Sequence, residues 1–170
     1  MRKAFMRQRF PNIRTIILPS YADIILKACE NVRTVITTGL FKDELFEVIK
    51  EDCPAVEDIG GQIDLQCVQY IPKVLPGLRS IRMNVTYIWV IRSLEPLKDL
   101  RSIELLITDS TKIHANSELD KCIEEAKILL RGRAGKKSLV LSFEDCTHYM
   151  RPPFSGPLSP WKKSISLDTD

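Results

Sequence analysis

The chain has 170 residues, enough for one domain, and its 44% hydrophobic and 28% charged content excludes disorder throughout. Its 25 basic and 22 acidic residues leave a net charge of +3, too balanced to single out a nucleic-acid binder. No run reaches the ~18 to 20 apolar residues of a membrane span, the start MRKAFMRQRF lacks the apolar core of a secretory signal, and five cysteines, an odd number, suit a reducing compartment, so the expectation is an intracellular protein, cytoplasmic or nuclear.

Residues 1–9 carry Arg2, Lys3, Arg7 and Arg9 around Phe5 and Met6, and read as a basic segment left by a missing upstream region or as a crude cap. A strand is expected at Thr15 to Leu18, stopped by Pro19. A short helix follows from Tyr21 to Cys29, capped by Ser20, with Ile24, Ile25, Ala28 and Cys29 on one face. The second strand is expected at Thr34 to Thr37 with Gly39 in the turn. The helix Lys42 to Asp52 then turns Leu45, Phe46, Val48 and Ile49 inward.

The next stretch is irregular: Gly60 and Gly61 stand where strand residues belong, and a helix begun near Asp64 meets Pro72, which predicts an end or kink near Ile71. After a strand through Ile81, the run Tyr87 to Leu97 predicts about three helical turns, apolar nearly all round. Part of that surplus packs under the next helix or stays exposed as a contact patch at Trp89. The sequon Asn84-Val85-Thr86 just before it is a chance match in a reducing compartment.

A strand at Ser102 to Ile107 leads through a long connection, Thr108 to Asn116, into the best helix of the chain. Ser117 caps it, Leu119, Cys122, Ile123, Ala126, Leu129 and Leu130 keep the helical period, and Gly132 closes it. Ser138 to Phe143 alternates as a last strand. Residues 146–170 are rich in Pro, Ser and Lys and read as a disordered tail.

One frame runs through these elements. Ile13-x-x-Ile16-x-Leu18 returns as Val32-x-x-Val35-x-Thr37, Val56-x-x-Ile59-x-Gly61, Leu78-x-x-Ile81-x-Met83 and Leu100-x-x-Ile103-x-Leu105, at spacings of 19, 24, 22 and 22. Such a period with an LxxLxL-like core predicts an α/β leucine-rich-repeat-like solenoid arc of about five strand-helix repeats with parallel strands, over residues 10–145.

No catalytic constellation emerges. Cys29 and Cys53 occupy the slot that Leu75 and Leu97 fill in later copies, which makes it a buried apolar position rather than a thiolate site. Cys122 falls on a helix stripe, and no C-x-x-C pair suggests a metal. His114 and His148 lie in loops outside any hydrolase frame, and no phosphate-binding glycine motif occurs, so neither metal nor cofactor is expected. Arg14, Arg33, Arg79 and Arg101 share one repeat position and form a ladder broken by Glu57, able to meet acidic groups or to cover the core edge with arginine stems. The basic run Arg131 to Lys137 reads as a helix end and turn.

The residues alternating with the buried ones line the inner face: Thr15, Ile17, Thr34, Ile36, Asp58, Gly60, then Ser80, Arg82, Asn84, Ser102, Glu104 and Leu106. Small polar, charged and a few apolar groups suit recognition of a protein more than of a small molecule. The binding centre is expected at Ser80, Arg82, Asn84, Ser102, Glu104 and Leu106, with Trp89 as a second patch.

The phrases FPNIRTIIL, CENVRTVI, CPAVEDIGG, LPGLRSIRM and LKDLRSIEL resemble the leucine-rich repeats of fungal F-box-type and related uncharacterised fungal repeat proteins, over about Phe10 to Phe143. Members with an N-terminal F-box look like substrate adaptors of cullin-type ubiquitin ligases. Here the first repeat begins by Phe10, without room for an F-box, so the resemblance implies the recognition half alone, a non-catalytic module for a protein partner; the apolar runs and the charge balance add the expectation of no membrane and no nucleic acid. The alternatives are an enzyme with its site on the concave face or in the 108–116 loop, or a weak nucleic-acid binder using the arginine ladder.

Overall fold

In the computed structural model, which describes residues 8–19, 22–84, 87–108, 116–144 and 161–166, the seven strands lie in sequence order across one sheet. They are β1 (Thr15–Leu18), β2 (Thr34–Phe41), β3 (Asp58–Ile63), β4 (Ser80–Asn84), β5 (Ser102–Thr108), β6 (Ser138–Glu144) and β7 (Trp161–Ser166). The first six pair in parallel and β7 lies antiparallel on β6. The alternation of strands and helices and the parallel pairing follow the α/β expectation.

The register aligns the apolar residues that recur along the sequence. Ile16, Val35, Ile59, Ile81, Ile103 and Leu139 stand opposite one another on adjacent strands, and all but the half-buried Ile16 are shut from solvent. They join the inward helix residues in a single core, so one face of the sheet carries the helices. The strands β2 to β5 are entered through the same turn: Val32, Val56, Leu78 and Leu100 donate their N–H to the carbonyls of Cys29, Cys53, Leu75 and Leu97. Those four slots are all buried, so cysteine and leucine are interchangeable there as small and large apolar fillings.

The crossovers are less regular than the strands. The first is a 3-10 helix, Asp23–Ala28; Ala28 and Cys29 are buried as expected, but Leu26 takes the inward place of Ile24 and Ile25, which stay half-buried. Helix α1 (Asp43–Asp52) buries Phe46 and Ile49, the Phe46 ring 4.6 Å from that of Phe41. Next come two single turns, α2 (Leu65–Val68), capped by Asp64, and α3 (Ile71–Val74). Pro72 therefore sits in the first turn of a new helix, where its missing N–H costs nothing, rather than ending an old one.

Helix α4 (Ile88–Arg92) is far shorter than the three turns expected, because Leu94 and Leu97 are buried from the turns that follow it. Helix α5 (Asn116–Arg131) buries Cys122, Ala126 and Leu130, as its period demands. Two further departures concern strands. The glycines at 60 and 61 do not interrupt β3 but lie within it, opposite a bulge: Ile36 pairs with Gly60 and Leu40 with Gln62, so three residues of β2 face Gly61 alone. In the segment expected as a disordered tail, residues 161–166 form β7, which closes the β6 edge, Ser166 opposite Ser138 and Trp161 opposite Phe143.

Candidate functional site

The face of the sheet opposite the helices is built in rows, because parallel pairing without offset puts equivalent repeat positions side by side. The first row runs Thr15, Thr34, Asp58, Ser80, Ser102, Ser138. It is a line of short oxygen-bearing side chains, and neighbours bond across strands: Thr34 Oγ1 donates to Asp58 Oδ2 at 3.0 Å, and Ser138 Oγ to Ser102 Oγ at 2.8 Å. The second row runs Ile17, Ile36, Gly60, Arg82, Glu104, Val140 and passes from apolar to charged.

Arg82 is the largest group in the middle of that row, and Gly60 makes its placement possible. A Cβ on Gly60 would lie 3.2 Å from the Arg82 Cβ and 3.4 Å from its Cδ, so the aliphatic stem rests over bare backbone. Its Nε points to Glu104 Oε1 at 3.6 Å, and the same Glu104 oxygen accepts a hydrogen bond from Ser142 Oγ. The pair is mostly covered, at 28% and 19% side-chain exposure, which holds it more firmly than a free surface pair.

Of the six residues expected at the binding centre, the structure brings five together: Ser80, Ser102 and Asn84 are partly exposed around the Arg82–Glu104 pair. Leu106 is the exception. It is 3% exposed beside the fully buried Ser142, so that end of the face is shut and Leu106 is no contact residue. Trp89 lies elsewhere, on α4, half exposed and stacked on Tyr87 with ring centroids 6.4 Å apart. The apolar surplus of this stretch is thus divided, Val90 and Ile91 going to the core and Tyr87 and Trp89 to the surface.

The arginine ladder exists as a stack at the entry to the strands. Arg33, Glu57, Arg79 and Arg101 each donate their backbone N–H to the residue before them in the row, starting from the Arg14 carbonyl, at 2.7 to 2.9 Å. Glu57, which from sequence looks like a break, is a bridge: its Oε2 is 3.8 Å from Arg33 Nη1 and 3.2 Å from Arg79 Nη1. Sequence reasoning missed this role, although the only acid in a basic column was the signal.

Cys29, Cys53, Cys67 and Cys122 are buried free thiols. Burial pushes Cys53 and Cys122 up to about 11, and burial together with Asp43 pushes Cys67 up to about 12, so these are poor nucleophiles at neutral pH. Among the described residues no group of three or more His, Cys, Asp or Glu is placed to hold a metal ion. No described helix is long and apolar enough to cross a membrane. Residues 109–115, with His114, and residues 145–160, with Cys146 and His148, lie outside the described residues, as does most of the loop named as an alternative active site. No protein-family model matches the chain, and no curated protein matches it either.

Proposed function

We propose that the chain is a non-catalytic protein-recognition module, a leucine-rich-repeat-like arc that takes its partner on the face opposite the helices around Arg82 and Glu104. The observation that carries the reading is the held arginine itself. It sits near the middle of a row-ordered face, its stem laid over Gly60, its head paired to Glu104, with the partly exposed Ser80 and Asn84 on either side of it along its own strand. Interface energy concentrates on such central, pre-positioned arginines, because little side-chain entropy remains to be lost on binding. The resemblance to F-box-type repeat proteins extends the proposal: the partner would be the substrate of a ubiquitin ligase.

The test is affinity capture with the intact chain and with Arg82→Ala, the captured proteins being identified and checked for ligase subunits. Arg82→Ala is expected to retain the circular dichroism spectrum of the parent and to lose the captured partner. An unchanged set of captured proteins with an unchanged fold would remove this face from consideration and leave the Tyr87–Trp89 patch as the next site.

A further inference from the structure

The arginine row at the strand entries is a second surface, independent of the face just discussed, and it already holds an anion. The sequence places arginine at one repeat position on four strands, and the parallel register stacks those strands at the ~4.8 Å spacing of a sheet. Glu57 supplies a carboxylate between the second and fourth members and contacts both guanidinium groups. Arg101, next in the row, has no carboxylate partner among the described residues. Its head is nonetheless positioned, since a Cβ on Gly135 would lie 3.4 Å from its Nη1. The row is therefore a series of carboxylate-spaced cations with one position filled from within.

Beside Glu57 and Arg79 the turns leading into β3 and β4 leave a cleft of about 420 Å³. It is lined by the apolar Pro54, Val56, Val74 and Pro76 together with Lys50, Glu57, Arg79 and Asp99. A cleft of this kind takes an aliphatic side chain, and the cations beside it take a flanking acid.

We infer that this edge binds an extended acidic peptide segment, with an aliphatic side chain in the cleft and carboxylates on Arg79 and Arg101. A peptide fits better than a nucleic acid on two grounds. The anion that the row holds is a carboxylate, and among the described residues no aromatic side chain lines the cleft to stack a base.

The experiment uses the full chain and fluorescence anisotropy with three labelled peptides: one with glutamates flanking a single leucine, one with those glutamates changed to glutamine, and one with the leucine changed to alanine. A single-stranded oligonucleotide is the fourth probe. The acidic peptide should bind best and weaken as salt rises. Arg101→Ala, an exposed residue, should weaken it about tenfold, the scale of one lost charge-assisted contact. Glu57→Gln should tighten it about two- to fivefold by releasing Arg33 and Arg79. Equal binding of the glutamine peptide, no effect of Arg101→Ala, weaker binding by Glu57→Gln with the fold retained, or tighter binding of the oligonucleotide would each overturn the proposal. Loss of binding by Arg82→Ala in the same assay would overturn the independence of the two surfaces.

Discussion

Gly61 backs onto Thr37 across the bulge between β2 and β3. With φ at +140°, a Cβ on Gly61 would lie 2.7 Å from Thr37 Oγ1 and 2.8 Å from its carbonyl oxygen. Thr37 cannot move aside, because it is buried and its hydroxyl donates to the Gly39 carbonyl within the bulge. Gly61→Ala therefore combines backbone strain with a clash against main chain, and should destabilise the fold by about 1–3 kcal/mol or more in a denaturant titration. Gly60→Ala meets the Arg82 Cβ at 3.2 Å, a tight contact but a longer one than those at Gly61, and should cost less. Equal losses from the two substitutions would contradict the geometry.

The Arg82–Glu104 pair should contribute little to stability. A partly covered ion pair on a sheet face is worth about 0–1 kcal/mol, so a double-mutant cycle with alanine at both positions should return a coupling energy in that range. A much larger value would mark the pair as a folding element and weaken the case for a binding role.

Core truncation should follow strand position. Ile81 and Ile103 lie on central strands, fully buried, and replacement of either by alanine should cost about 2–5 kcal/mol. Ile16 lies on the edge strand β1 and is only half buried, so Ile16→Ala should cost less than either. Thermal or denaturant midpoints of the three variants check the order.

The buried thiols give an alkaline prediction. Their folded pKa lies above the unfolded thiol value, so the folded state holds their protons more tightly. That contribution to stability is complete below about pH 8.5, the free-thiol value, and is lost as pH rises towards the folded values of about 11 and 12. Stability measured between pH 8 and 11 should fall, and less steeply in a Cys53→Ala, Cys122→Ala double variant than in the parent. At pH 8 an alkylating reagent should modify Cys29, Cys53, Cys67 and Cys122 only as fast as the protein opens.

The strands from β2 to β5 were legible in the sequence because their signal is redundant, whereas β7 lies in a segment read as a disordered tail. An apolar slot, the turn it closes and an inward residue aligned with its neighbours recur on β2 to β5. The crossovers were less legible, because apolar content does not distinguish a helix from a tight turn that also points into the core. Leu94 and Leu97 continue the apolar run of α4 although the helix ends at Arg92. The bulge opposite Gly61 was invisible, since its cause is a count of residues in the partner strand. At the candidate site, the outward positions followed from alternation alone. What could not follow was that Leu106 is buried and that Gly60 gives Arg82 its resting place.

Strand order that never skips has a kinetic meaning. Parallel pairing usually forces distant parts of a chain together, which slows folding. Here Thr15 to Thr34, Thr34 to Asp58, Asp58 to Ser80 and Ser80 to Ser102 close loops of 19, 24, 22 and 22 residues, and Ser102 to Ser138 closes one of 36. Closure entropy rises only by about 0.6 kcal/mol per doubling of loop length, so each ladder costs nearly the same to start as its neighbour. The sheet can thus begin at any adjacent pair and grow outward one loop at a time, and it should fold faster than a parallel sheet whose central strands come from opposite ends of the chain.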